Sequence, residues 1–130
     1  ELERRKLISF THIKGGEVRI ELSHRGKQLV RQYDLDTMSL KRPARWDGKW
    51  RMVIYDIPQR QRKASDAFRR KLRSMGLYQL QRSVWVSPYD CLAELEFLCS
   101  VFEISIDDCL CYFSSPEIPR EGEMRKFFDL

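Results

Sequence analysis

The feature that most constrains the fold is the order of the apolar segments that follow Trp50. Residues 50–57 carry apolar side chains on both faces of an extended segment, as a central strand does. In residues 59–75 the apolar side chains recur at spacings of four, four and three, which forms one stripe along a helix. Gly76 follows directly, at the position where glycine commonly ends a helix. The sequence therefore predicts a strand followed by an amphipathic helix.

The residues that follow, up to residue 113, predict two more strands, a second helix and a fourth strand. Two short strands are predicted at residues 77–80 and 83–86, and a fourth strand at residues 109–113. Between them Asp90 is placed to cap a second helix. The order strand, helix, strand, strand, helix, strand predicts an α+β domain of the ferredoxin-like βαββαβ type, a four-stranded antiparallel sheet with both helices on one face. The other face needs cover, and a second copy of the chain would supply it.

Residues 7–22 are typical of a β-hairpin. Gly15 and Gly16 suit a tight turn with positive φ, and the residues after them alternate between polar and apolar. A short helix is predicted from Ser23 to about Tyr33. A hairpin of this kind beside a helix is typical of the wing of a winged-helix DNA-binding domain, which lies along the DNA backbone. An ordinary structural hairpin is the alternative.

These segments predict four parts of the chain. They are residues 1–36, the C-terminal part of a winged-helix domain with its wing and helix; 37–49, a linker; 50–113, the ferredoxin-like dimerisation domain; and 114–130, a C-terminal tail. Phe127 and Phe128 predict that the tail docks on the domain. The recognition helix of the winged-helix domain is expected to precede Glu1.

Charge is distributed very unevenly along the chain. Residues 1–86 carry 21 Lys and Arg against 9 Asp and Glu, whereas residues 87–130 carry 3 against 10. Such asymmetry predicts a basic face suited to a nucleic-acid backbone, the alternative being an ordinary solvated surface. No apolar run approaches the 18 residues of a membrane span, so a cytoplasmic protein without a membrane partner is expected. The four cysteines are expected to be buried thiols, since their spacing suits neither zinc nor a disulfide.

The densest basic cluster lies in the first helix of the βαββαβ region. Residues 59–73 contain seven basic side chains and one acidic side chain. Guanidinium groups bind phosphates through two parallel hydrogen bonds, so this helix is expected to contact the backbone of double-stranded DNA. The predicted nucleic-acid-binding residues, from the hairpin and this helix, are Lys14, Arg19, Arg60, Arg62, Lys63, Arg69, Arg70 and Arg73.

Asp56, at the end of the first strand, is the candidate catalytic and metal-binding residue. If two copies meet on a two-fold axis, their Asp56 carboxylates could hold one Mg²⁺ ion and polarise a water molecule. The structural alternative is that Asp56 caps the helix that follows. No cofactor is expected otherwise, and Mg²⁺ is expected only if the chain is a nuclease.

Three segments resemble the small CRISPR-associated adaptation endonuclease family. They are residues 52–58 (MVIYDIP), 69–77 (RRKLRSMGL) and 81–84 (QRSV). The resemblance implies a ferredoxin-like homodimer. It also implies that Asp56, which matches the strand-end aspartate of that family, takes part in metal-dependent cleavage.

Two further segments resemble the central domain of PaaX-type transcriptional repressors, which is itself similar to the CRISPR nuclease. They are residues 46–50 (WDGKW) and 84–88 (VWVSP). That domain follows a winged-helix domain, whose final wing would match residues 7–22. The resemblance implies a dimeric DNA-binding transcriptional regulator, and the alternative is a metal-dependent CRISPR-associated endonuclease or adaptation protein acting on DNA or RNA. Stand-alone CRISPR proteins usually begin at the first strand and have no wing, which favours the regulator.

Overall fold

The structure is a computed structural model that describes residues 8–12, 18–22 and 24–130. It divides the chain into two compact units, Glu1–Met38 and Ser39–Leu130.

The described residues of the first unit form a hairpin and one helix. Strand β1 (Ile8–His12) pairs antiparallel with β2 (Val18–Leu22), and helix α1 spans His24–Thr37. The helix continues four residues beyond its predicted end, because polar side chains of the last turn bond locally. Thr37 Oγ1 donates to the carbonyl of Tyr33 at 2.9 Å, and Gln32 Nε2 donates to Asp36 Oδ1 at 2.9 Å.

The second unit is a four-stranded antiparallel sheet with four helices. The strands are β3 (Trp50–Tyr55), β4 (Tyr78–Gln81), β5 (Val84–Ser87) and β6 (Leu110–Ser115). The helices are α2 (Arg62–Met75), α3 (Leu92–Phe102), α4 (Ile106–Cys109) and α5 (Glu121–Phe128), with a single 3-10 turn at Gln59–Gln61 before α2. The strand order is β4-β5-β3-β6, with every neighbouring pair antiparallel. This mixed α+β architecture is compatible with the ferredoxin-like fold predicted from the sequence.

One face of the sheet is covered by α2 and α3. The ring of Tyr55 meets that of Phe68 edge-on, with ring centroids 5.2 Å apart. At the start of α3 the backbone N–H of Cys91 donates to the hydroxyl of Tyr112, which projects from β6. The buried Leu95 of α3 completes this side of the core. Both helices of the βαββαβ pattern therefore lie on one face, as predicted.

The opposite face is partly covered by α5, within the segment that was predicted to be a tail. Met124 and Phe128 are both buried and belong to one cluster with Trp50. They are four residues apart, so they lie on the same side of the helix. The buried indole N–H of Trp50 donates to Glu121 Oε1 at 2.8 Å, which fixes the first turn of α5.

Of the predicted linker, 37–49, residues 39–49 belong to the same unit as the sheet. Trp46 packs against Trp50 with ring centroids 4.8 Å apart. The guanidinium of Arg125 lies 5.0 Å from the centre of the Trp46 ring. The backbone N–H of Leu40 also donates to the carbonyl of Met75, which ties the segment to the end of α2.

Part of the sheet face that α5 covers remains exposed beside β6. Register places Phe113 opposite Met52 and Cys111 opposite Ile54, so these side chains share one face. Phe113 is 44% exposed, and Cys111 is also exposed. We call Ile54, Cys111 and Phe113 the open patch.

The cysteines are all free thiols in the structure. Cys91, Cys99 and Cys109 are buried as expected, and burial raises the pKa of Cys91 to about 12 and of Cys99 to about 11. The expectation of burial was wrong for Cys111, because it points from an edge strand to the open patch. No described helix combines the length and apolar character needed to cross a membrane.

Candidate nucleic-acid interface

Helix α2 presents its basic side chains to solvent because its apolar stripe is fully used by the core. Phe68, Leu72 and Met75 are buried, so the other sides of the helix are left for polar groups. The helix ends as predicted at Gly76, which has a φ of 101° and donates its N–H to the carbonyl of Arg73 at 3.1 Å.

Of the six basic side chains of α2, all except Lys71 fall into two stripes. Arg62, Arg69 and Arg73 lie on one line, because residues seven and eleven apart return to the same face of a helix. Lys63 and Arg70 form a second line, also seven residues apart. Arg69 is half-buried, and the other four are exposed, as is Arg60 in the preceding 3-10 turn. The structure therefore places six of the eight predicted nucleic-acid-binding residues on one helical segment.

Two of these six cations already have partners within the chain. Arg69 Nη2 lies 3.2 Å from Asp66 Oδ1. Arg73 donates to Gln79 Oε1 at 3.0 Å, and its guanidinium lies 5.7 Å from the centre of the Trp85 ring. The remaining cations make no hydrogen bond or ion pair with another described residue: Arg60, Arg62, Lys63 and Arg70. These four are the groups most available to an external phosphate.

The two predicted hairpin residues belong to the first unit. Lys14 lies outside the described residues. Arg19 is in β2, where its backbone lies opposite Thr11.

Asp56 follows the last residue of β3 and is exposed. Its backbone N–H donates to the carbonyl of Cys109 at 2.8 Å, which holds the end of the strand against β6. The alternative that Asp56 caps the following helix is wrong. The N-cap positions are Pro58 for the 3-10 turn and Gln61 for α2, and neither helix start has a side-chain cap.

The carboxylate of Asp56 makes no hydrogen bond or ion pair with another described residue. The described residues also contain no group of three or more His, Cys, Asp or Glu side chains arranged to hold a metal ion. Mg²⁺ is commonly held by one or two carboxylates and several waters. Asp56 alone therefore offers one potential Mg²⁺ ligand and does not by itself define a metal site.

A cavity of about 480 Å³ opens beside Asp56. It is lined by the end of β3, by the first half of α2 and by the turn between β4 and β5. Its charged lining residues are Asp56, Arg62, Asp66, Arg69 and Arg82. We call this cavity the arginine pocket. Arg82 was missed as a site residue, because nothing local in the sequence shows that its turn folds toward α2.

The other end of the sheet carries a polar cluster whose members satisfy one another. Arg51 Nη1 donates to Asp47 Oδ1 at 2.9 Å and to the carbonyl of Pro88 at 2.8 Å. The bond from Arg51 lowers the pKa of Asp47 to about 2. The Tyr112 hydroxyl donates to Asp90 Oδ1 at 2.7 Å, which lowers the pKa of Asp90. Because these groups are paired with one another, the cluster stabilises this end of the sheet and is not a reactive site.

The N-cap position of α3 is Cys91 and has no side-chain cap, but Asp90, one residue earlier, still bonds to the start of the helix. The backbone N–H of Leu92, the first residue of α3, donates to Asp90 Oδ1 at 3.2 Å.

Comparison with known families places the sheet and the basic helix within one family domain. A family model described as the PaaX protein central Cas2-like domain matches residues 43–125. The match contains all four strands of the larger sheet, α2, Asp56 and the arginine pocket. No curated protein matches the chain.

Proposed function

The chain belongs to the PaaX family, and on this premise we propose that it is a dimeric DNA-binding transcriptional regulator acting in the cytoplasm. The observation that carries the proposal is the family match over residues 43–125. The strand order and the two helices on one face support a ferredoxin-like, Cas2-like fold for this region.

We propose that the hairpin β1–β2 is the wing of a winged-helix domain. Its antiparallel strands and the helix α1 directly after them fit such a wing. Lys14 and Arg19 would then contact the DNA backbone beside the recognition helix.

Helix α2 would supply sequence-independent affinity for the DNA backbone. Its three unpaired cations, Arg62, Lys63 and Arg70, are exposed and lie on neighbouring lines of the helix, and Arg60 is exposed in the turn before it, so these groups can approach successive phosphates. Fluorescence-anisotropy titration of a labelled duplex at several salt concentrations tests this proposal. We expect the logarithm of the binding constant to fall linearly with the logarithm of the salt concentration.

A second copy of the chain is the proposed occupant of the open patch. The patch lies beside β6, which is an edge strand of the sheet. A two-fold axis would place Phe113 and Cys111 of each copy against the same patch of the other, so that both apolar surfaces are covered at once. Dimerisation would also set the spacing of the two DNA half-sites.

We expect Phe113→Glu to weaken the dimer. The substitution places two like charges in a small apolar interface, so the dissociation constant should rise at least about tenfold. Sedimentation equilibrium measures this constant, and circular dichroism checks that the variant is folded. The matched control is Leu92→Glu, since Leu92 is 40% exposed on α3, which covers the other face of the sheet. Equal dimer affinity in wild type and Phe113→Glu, or equal loss in Leu92→Glu, would contradict this interface.

A metal-dependent nuclease is the second candidate function. One observation favours it: the exposed Asp56 carboxylate has no partner among the described residues and lines a pocket that also contains three arginines. A nuclease would use Asp56 from two copies to hold Mg²⁺, which would polarise the attacking water.

For the regulator we expect no cleavage of single- or double-stranded DNA or RNA in the presence of Mg²⁺ or Mn²⁺. The assay compares wild type with Asp56→Ala and with Asp107→Ala, which removes another exposed carboxylate, on α4. Metal-dependent cleavage that is lost in Asp56→Ala and kept in Asp107→Ala would make the chain an enzyme.

A further inference from the structure

The arginine pocket brings cations together from two parts of the fold. Arg62 and Arg69 come from one line of α2, and Arg82 comes from the turn between β4 and β5. The hydroxyl-bearing Ser65 and Ser83 line the same cavity. Guanidinium and hydroxyl donors that surround a cavity from two sides are the groups that hold a phosphoryl group.

Most of this donor capacity is unused within the chain. Only Arg69 among the three arginines is ion-paired, to Asp66 at 3.2 Å. The guanidinium groups of Arg62 and Arg82 make no hydrogen bond or ion pair with another described residue. Arg82 is held through its backbone instead, since its carbonyl accepts a hydrogen bond from Gln79 Nε2 at 3.3 Å. The turn between β4 and β5 is therefore held in place, while the guanidinium of Arg82 remains available to bind a ligand.

The size and the mixed charge of the pocket indicate the class of ligand. A volume of about 480 Å³ lies in the range of small-molecule sites. The Asp56 carboxylate in the lining would repel a second anionic group, but it can accept a hydrogen bond from a hydroxyl. A ligand with one phosphoryl group and neighbouring hydroxyls satisfies both conditions.

We propose that the arginine pocket binds a small phosphorylated ligand of the sugar-phosphate or nucleotide class. Arg62, Arg69 and Arg82 hold its phosphoryl group, and Asp56 accepts a hydrogen bond from a hydroxyl. A regulatory consequence follows, which rests on the proposed function. Arg62 and Arg69 also belong to the helix proposed to contact DNA, so a bound ligand competes with DNA.

Ribose 5-phosphate and inorganic phosphate are the probes, followed by ¹H–¹⁵N correlation spectra of the whole chain. We expect saturable shifts of the amides of Asp56, Ile57 and Ser83, with ribose 5-phosphate binding more tightly than phosphate. Arg82→Ala should weaken the binding of both probes about tenfold, because it removes a charge-assisted hydrogen bond. Lys126→Ala removes one charge from α5, on the opposite face of the sheet. It should change the affinity for either probe by no more than about twofold.

Asp56→Ala tests the role of the carboxylate separately. It should tighten the binding of inorganic phosphate, because one negative charge leaves the lining, and it should abolish the preference for ribose 5-phosphate. An unchanged preference would contradict the role given to Asp56. The proposal as a whole is overturned if neither probe shifts the pocket amides. It is also overturned if Lys126→Ala weakens binding as much as Arg82→Ala, or if only duplex DNA shifts these amides.

The competition with DNA is measured at constant ionic strength. Ribose 5-phosphate should weaken the binding of duplex DNA to wild type and have little effect on Arg82→Ala. Arg70 does not line the pocket, so Arg70→Ala should weaken DNA binding without changing phosphate affinity. Phosphate binding without any DNA binding would refute the proposed function and leave the pocket intact. DNA binding with no phosphate binding would refute the pocket alone.

Discussion

Replacing Phe128 with alanine is expected to lower the free energy of unfolding of the second unit by about 3–5 kcal/mol. Phe128 is 3% exposed, and the centre of its ring lies 6.2 Å from that of Trp50. Its removal leaves a cavity between α5 and the sheet, in addition to the lost burial of the ring. Since small domains are stable by only about 5–15 kcal/mol, such a loss would bring this unit close to unfolding.

Phe127 provides the matched control for this experiment. It is the same residue type, one position earlier, but it is 54% exposed and contacts Tyr78 at the edge of the cluster. Phe127→Ala should therefore cost about 1 kcal/mol or less. Urea unfolding followed by the fluorescence of the tryptophans measures both values. Equal losses in the two variants would show that α5 does not anchor on the sheet through Phe128.

The order of strands and helices could be predicted because each element shows its own local pattern. The stripe of Phe68, Leu72 and Met75 sets the buried side of α2, and Gly76 sets its end, without any knowledge of the rest of the chain. For the same reason the sequence could show that the cations of α2 lie away from the core.

Helix α5 could not be predicted with the same certainty. It has only eight residues, so its apolar positions are too few to define a period, and an isolated helix of this length is not stable in water. Its stability comes from the contact of Met124 and Phe128 with Trp50, more than seventy residues earlier in the chain. The sequence indicated docking through the aromatic residues but not the helix.

The pairing of the site residues also depends on tertiary structure. Arg73 reaches Gln79 and Trp85 because α2 lies over β4 and β5. Arg82 joins the arginine pocket because the turn that follows β4 comes close to the start of α2. The predicted capping role of Asp56 was wrong because the 3-10 turn begins after Pro58. A prediction based on neighbouring residues cannot recover contacts between separate elements.

Replacing Arg69, Arg70 and Arg73 together with alanine is expected to weaken DNA binding on the order of a hundredfold or more at low salt. Each phosphate contact contributes about 0.9 to the slope of log K against log salt, so the slope should flatten by up to about three units. Arg70 should contribute most, because it has no partner among the described residues, whereas Arg69 is paired with Asp66 and Arg73 with Gln79.

Two control variants separate charge from other effects of the substitution. The triple replacement of the same residues by lysine keeps the charge, so it should retain most of the slope while losing the two-point phosphate contacts. Lys126→Ala, on the opposite face of the sheet, should leave the slope unchanged.

The most direct test of the DNA-binding function is the salt dependence of duplex binding by this 130-residue chain, measured for wild type and the triple alanine and lysine variants. We expect a steep slope in wild type, nearly the same slope in the lysine variant, and a slope flatter by up to about three units in the alanine variant. Identical slopes in wild type and the alanine variant would remove α2 from the interface and contradict the proposed mode of DNA binding.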